Sequence, residues 1–230
     1  MSVSSDAAHS DAKYYEVART ASMAERILIQ ARDRIYRDFL AHTQPQSEST
    51  IADIGISDVV SAGANVLERN YPYQQQITAC AISDAPDFRS AFPLVKFQRI
   101  RPNEALPFAS ASFDIATSNA VLEHVGSHEN QIFFVRELCR IARKVFISVP
   151  NRYFPIEHHT AIPIIHYNDR TFRLGCTAMG KQDWAQESNL ILMTRKKLWR
   201  LVAGINRSAA VGYTGFVGGP LSSNLYLAIH

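Results

Sequence analysis

The sequence has no apolar run approaching the roughly 20 residues that a bilayer-spanning helix needs, so no membrane span is expected. Nor do its first dozen residues, beginning Met1-Ser-Val-Ser-Ser-Asp-Ala-Ala-His9, join a basic stretch to an apolar one. No secretory signal is therefore expected, and the protein reads as cytoplasmic. Cysteine is scarce: Cys80, Cys139 and Cys176 are odd in number and far apart. That argues against a disulfide framework and for free thiols in a reducing compartment, with Cys80 and Cys139 inside apolar segments. Net charge is nearly absent as well. Lys and Arg number 24 against 21 Asp and Glu, and a net +3 is too small to argue for a nucleic-acid partner. Two nucleotide signatures are also missing, the GxxxxGK[ST] phosphate loop and the G-x-G-x-x-G dinucleotide turn.

What remains is ample for one α/β domain: 230 residues, 47% of them apolar, can bury a sizeable core. The spacing predicts a helix over residues 14–40, where Met23, Ile27, Ala31, Ile35 and Phe39 recur every four positions. Arg26, Arg32, Arg34 and Arg37, interleaved with Glu25, Asp33 and Asp38, read as a solvated face with i,i+4 ion pairs. Apolar runs at 51–54, 77–82, 95–100, 113–116 and 145–149 read as strands, and 65–70, 84–91 and 127–143 as helices between them. Ser127 is placed to cap the last of these, whose face carries Ile132, Val135, Cys139 and Ala142. Such alternation implies a parallel sheet with right-handed crossovers and helices on both faces. Over 152–189 the regularity fails around Pro155, Pro163 and Gly175, which suggests an insertion covering the carboxyl edge of the sheet. A helix at 195–203, capped by Thr194 and ended by Gly204, leads to strands at 209–217 and 224–230, which suggest an antiparallel hairpin.

Three strand ends carry the functional signal. Ile51-Ala-Asp-Ile-Gly-Ile-Ser57 ends in acid-x-Gly, and glycine there lets a ligand approach the backbone. The run from Leu106 to Val125 ends its strand at Ser118-Asn119, and Val145-Phe-Ile-Ser-Val-Pro-Asn151 halts at Pro150-Asn151. Parallel strands that stop side by side leave a crevice of the kind that binds ligands in open α/β sheets. Together these segments resemble the class I S-adenosylmethionine (SAM)-dependent methyltransferases. The wording "Leu-Pro-Phe … Ser-Phe-Asp … Leu-Glu-His-Val", its distance from Asp53 and the Pro150-Asn151-Arg152 turn are similar to the type-11 branch of small-molecule methyltransferases.

The resemblance covers about 51–157. It implies a Rossmann-like α/β fold with a seven-stranded, mostly parallel sheet, an antiparallel C-terminal strand and helices on both faces. The expected organisation is an N-terminal helical extension over 1–45 and a methyltransferase-like domain over 46–230. It implies SAM as cofactor and a small-molecule or glycan-like acceptor. Asp53 and Gly55 would line the methionine end, Ser57 the loop beyond, and Ser118 and Asn119 the transferred methyl, with Ser83 and Glu104 on the adenosine side.

Departures from the family pattern matter. Ala81 stands where an acid holds the ribose, Pro102 where a second acid addresses adenine, and Ser57 and Val59 where further glycines would be. A hydrogen bond to a charged group contributes roughly 1.5–3 kcal/mol, so each missing carboxylate weakens the cofactor about ten- to a hundredfold. That motivates an alternative, a catalytically inactive methyltransferase-like binding protein. For catalysis, His124 is the candidate base after the fourth strand. Arg152, Tyr153, His158, Tyr167 and Trp184 offer an acceptor pocket of aromatic walls with polar tips. Glu157-His158-His159 with His166 has the chemistry of metal ligands, but the adjacent histidines lie between Pro155 and Pro163 rather than at i,i+4 on a helix. No metal is expected on that count, and no residue pattern speaks to oligomeric state.

Overall fold

A computed structural model describes residues 23–230. One seven-stranded sheet runs through it in the order β3-β2-β1-β4-β5-β7-β6. Strand β1 (Ile51–Ile54) lies parallel to both β2 (Ile77–Ala81) and β4 (Phe113–Asn119). β3 (Lys96–Arg99) adds to β2 and β5 (Ala142–Pro150) to β4, again in parallel. The chain then returns as the hairpin β6 (Ala209–Thr214) and β7 (Asn224–Ile229), with β7 antiparallel to both β5 and β6. The strand order reverses between β1 and β4, which is where the crevice of such a sheet opens. β1 is apolar almost without alternation because crossover helices cover it from both sides.

Helix α1 (Met23–Thr43) lies across one face, and the predicted residues 14–22 fall outside the described ones. Its Ile35 and Phe39 belong to the core cluster of Ile51, Ile77, Ile115 and Phe146, with the Phe39 and Phe146 rings edge-on at 5.8 Å. α1 thus contributes its Ile35 and Phe39 to the domain core. Short helices α2 (Val66–Asn70) and α3 (Pro86–Ala91) continue that face. On the other, α4 (His128–Ile141) buries Val135, Leu138 and Ile141, and α6 (Arg195–Leu201) buries Leu198. Ser127 caps α4 by accepting the Asn130 N–H, and Thr194 caps α6 by accepting that of Lys197. α4 stops two residues before the predicted Arg143 because Ala142 turns extended and pairs with Phe113. Among the described residues no helix is long and apolar enough to cross a membrane.

Two expectations change. The 152–189 segment is not wholly irregular: it contains α5 (Asp169–Ala178), where Asn168 accepts the N–H groups of Arg170 and Thr171. Phe172 and Cys176, four residues apart, join Ile162 and Leu190 in a small core of their own. Of the α1 arginines, Arg34 pairs with Asp38 at 3.3 Å as a solvated face would, but Arg32 turns inward to a recess below the sheet edge. All three cysteines are free thiols; Cys80 and Cys176 are buried and Cys139 is half-buried.

Candidate active site

The chain leaves β1 through Gly55, whose φ of 95° belongs to glycine, and the N–H groups of Gly55 and Ile56 both reach the Cys80 carbonyl, at 2.8 and 3.1 Å. The loop beyond is organised by Asn65, itself at φ 51°: its Oδ1 accepts the Ser57 N–H and its Nδ2 donates to the Ser57 carbonyl. Ser57 Oγ accepts the Val59 N–H, while Asp58 accepts the Phe88 N–H at the start of α3. Ser57 is fully buried and works inside the loop. A Cβ at Gly55 would collide with Val121, so this glycine admits a side chain of its own protein.

Two cavities meet at Gly55. On the α4 side is a crevice of about 300 Å³ whose walls include Ile54, Ile82, Asn103, Glu104, Val121 and His124. The 106–108 stretch beside it is clamped to α4: Glu137 accepts the Leu106 N–H at 2.8 Å, and Arg140 donates to the Leu106 and Phe108 carbonyls at 3.0 and 2.7 Å. The Glu137–Arg140 ion pair, 2.7 Å, completes the clamp. On the α1 side is a recess of about 70 Å³ lined by Asp53, Asn65, Thr117, Asn119 and Ser148, with Arg32 at its wall. Successive strand residues face opposite sides, which is why Asp53 and Ile54 serve different cavities.

Burial raises Asp53 to about 7, and burial followed by the charge of Asp53 raises Glu68 well above the carboxylate range. Glu68 is completely buried and neither of its oxygens has a hydrogen-bond partner in geometry. Ser118 is buried and donates to the Ile54 carbonyl at 2.7 Å, stitching β4 to β1. Asn119 Oδ1 accepts the Ser148 hydroxyl at the recess floor. Where the adenosine side is expected, Ala81 is buried, Ile82 forms crevice wall and Ser83 is half-buried just beyond it. Asp84 pairs with Arg99 at 2.9 Å, and Glu104 stands at the rim, 3.6 Å from Arg101.

The 152–193 segment closes over the end of β4 and brings a second group together. His124 Nδ1 meets the Asn189 carbonyl at 2.7 Å, and its Nε2 meets His159 Nε2 at 3.1 Å. His159 Nδ1 in turn lies 2.9 Å from Glu157. Burial alone would raise Glu157, but hydrogen bonds from His159 and Thr160 overcome it and hold the carboxyl at about 2. Burial, then the charge of His159, lowers His124 to about 4. Glu123 is 1% exposed, has no hydrogen-bond partner and is raised by burial to about 7.

The predicted acceptor residues divide. The Trp184 ring lies tilted against that of His159, centroids 5.0 Å apart, and the buried His158 Nε2 lies without a hydrogen-bond partner beside the cluster. Arg152 donates to the His166 and Tyr167 carbonyls and pairs with Asp169 at 2.5 Å, bordering a cavity of about 190 Å³ that Trp184 and Lys197 also line. Tyr153 and Tyr167 pack edge-on at 5.9 Å on the exposed side of the segment. Glu68, Val121 and Glu123 were not singled out from the sequence. Glu123 stood inside the quoted Leu-Glu-His-Val run, whereas nothing local in the sequence marks Val121 or Glu68 as site residues.

A family model described as "Methyltransferase domain" matches residues 58–145. No curated protein matches the sequence. Among solved structures, one from Rhodobacter sphaeroides described as a putative Zn-dependent alcohol dehydrogenase superposes with a TM-score of 0.60 at 11% identity, covering 96% of this chain and 95% of its own. A complex of the Haloferax volcanii Trm112 methyltransferase activator with a putative methyltransferase gives a TM-score of 0.58 at 11% identity, covering 90% and 91%. A SAM-dependent methyltransferase from Aquifex aeolicus gives 0.51 at 12%, covering 89% and 92%. At such identities these likenesses establish the fold alone.

Proposed function

We propose that this chain, whose fold is that of solved methyltransferases and whose 58–145 segment matches a methyltransferase-domain model, transfers a methyl group from SAM to a small-molecule or glycan-like acceptor. The observation that carries this reading is the pair of cavities meeting at Gly55, on the carboxyl side of the strand-order reversal. The donor set suits the cofactor's two ends. The apolar crevice at Ile82 and Val121 can take a purine and ribose, with Asn103 and Glu104 as polar rim. Across Gly55, the buried carboxyls of Asp53 and Glu68 suit an ammonium, which would relieve their mutual repulsion.

SAM supplies an activated methyl on its sulfonium, so the protein's task is to hold donor and acceptor in line. Orientation of that kind can lower a barrier by up to roughly 7–11 kcal/mol. Ser118 and Asn119 fix the end of β4, where the two cavities approach each other. The acceptor enters from the 152–193 side, past Arg152 and Trp184. His124 lines the crevice with its ring nitrogens at Asn189 and His159, and we assign it to the wall between crevice and cap.

Val121 on Gly55, and Ala81 in place of a ribose-binding acid, favour the second reading, a methyltransferase-like protein that acts by binding. Calorimetric titration of SAM into the full chain separates the two. Binding is expected, weakened about ten- to a hundredfold per missing carboxylate. No heat and no thermal shift at millimolar SAM would remove the enzyme reading.

A further inference from the structure

We infer that Glu123, His124 and His159 form a binding site for one first-row divalent cation of the zinc type, at the seam between β4 and the 152–193 segment. The two histidine Nε2 atoms face each other at 3.1 Å, and a Glu123 oxygen lies 3.9 Å from His124 Nε2. One donor atom from each of the three residues can be chosen so that all lie within 4.8 Å of one another. Imidazole nitrogens and a carboxylate oxygen at roughly 2.1 Å from a common ion would be about 3.0–3.5 Å apart. The histidine pair already has that spacing, and the carboxylate needs only a small side-chain adjustment.

The surroundings are those that metal-bound histidines keep. His124 presents Nδ1 to the Asn189 carbonyl and His159 presents Nδ1 to Glu157, which fixes both Nδ1–H tautomers and turns both Nε2 lone pairs toward the same point. Two lone pairs at that distance repel unless a proton or a cation lies between them. The Glu123 carboxylate supplies an independent observation. It is 1% exposed, and neither oxygen has a hydrogen-bond partner. A carboxylate left so in a protein interior is costly, and a cation at the two Nε2 atoms would satisfy it. Two imidazoles and one carboxylate suit zinc, cobalt or iron(II), whereas magnesium and calcium prefer oxygen throughout. Sequence spacing did not disclose the site, because residues 35 apart in the chain meet only through the fold.

Cobalt(II) titrated into the chelator-treated full chain tests this directly. One equivalent should bind with visible ligand-field absorption, and zinc should displace it. Zinc should also raise the melting temperature of the wild type. Glu123→Gln, His124→Ala and His159→Ala should each weaken cobalt binding at least tenfold, and Glu157→Gln, which frees the His159 ring, about ten- to a hundredfold. The exposed His128→Ala should bind like the wild type. Should either histidine variant fail to fold, Glu123→Gln still decides the matter, since it is nearly isosteric and breaks no hydrogen bond. Absence of both the absorption and the zinc-dependent thermal shift would overturn the inference and leave a shared proton between the rings. Unaltered cobalt binding in Glu123→Gln and His159→Ala would overturn it too. Neither readout involves SAM, so the outcome is independent of the methyl-transfer proposal.

Discussion

Replacing Glu68 with glutamine should stabilise the protein, and by more as the pH rises. Glu68 is completely buried, packed beside Asp53, and held well above its ordinary 4.5 first by burial and then by the charge of Asp53. The folded state therefore keeps a proton that the unfolded chain gives up above about pH 4.5. Each pH unit beyond that point costs the folded state about 1.4 kcal/mol for as long as the proton stays on Glu68. That penalty accumulates until the folded-state carboxyl itself ionises, and one to two such pH units correspond to roughly 1–3 kcal/mol. Glutamine removes this group's dependence on pH, and its amide can donate to the Asp53 carboxylate. Urea unfolding of both proteins at pH 5, 6 and 7 measures the difference. The advantage of Glu68→Gln should grow with pH and, at about 2–4 °C per kcal/mol for a chain of this size, appear as a melting shift of roughly 2–12 °C at pH 7. An advantage that is constant or shrinks as pH rises would refute the argument, because the carboxyl at position 68, coupled to that of Asp53, must titrate to produce that slope.

Other expectations follow from the same packing. Arg140→Ala removes two hydrogen bonds to the carbonyls of Leu106 and Phe108 and the partner of Glu137, and should cost about 2–4 kcal/mol in chemical denaturation. Faster amide exchange at 106–108 should accompany it; unchanged exchange there would mean the clamp does not hold the crevice wall. Gly55→Ala meets both a left-handed backbone and Val121, and should destabilise by about 2–4 kcal/mol. Adding Val121→Ala should recover only the steric part, and full recovery would show the backbone to be unstrained. Phe39→Ala should cost about 3–5 kcal/mol, since α1 completes the core beside Phe146. A loss below about 1 kcal/mol there would mean that α1 contributes little to the core.

Much of the architecture was legible because it repeats a short-range pattern. β1 is apolar at every position but Asp53, α4 carries Val135, Leu138 and Ile141 at helical spacing behind a Ser127 cap, and the 209–230 stretch reads as a hairpin. α5 was missed because its signals are thin: Gly175 interrupts it, and its small core draws on Ile162 and Leu190 at distant points of the chain. Asp53 and Gly55 could be singled out from one acid-x-Gly turn. Their surroundings could not, because Glu68 and Val121 reach them from α2 and from the end of β4.

The contact between Gly55 and Val121 bears most heavily on function. In a βα turn built for a nucleotide, the missing side chain leaves bare backbone for the ligand. Here the same absence is filled by an isopropyl group of the apolar crevice, at the glycine which that crevice shares with the recess of Asp53 and Arg32. A ligand spanning both cavities must displace Val121, and a valine side chain has only χ1 with which to yield. Under the proposed function that rotation would draw on the binding energy of SAM, which Ala81 in place of a ribose-binding acid would already lower. Loss of both contributions predicts weak SAM binding that Val121→Ala improves. The improvement should be largest for ligands long enough to reach Asp53 and absent for adenosine alone, which can lodge entirely on the Ile82 side. Equal gains for SAM and adenosine would mean that the two cavities are not bridged through Gly55.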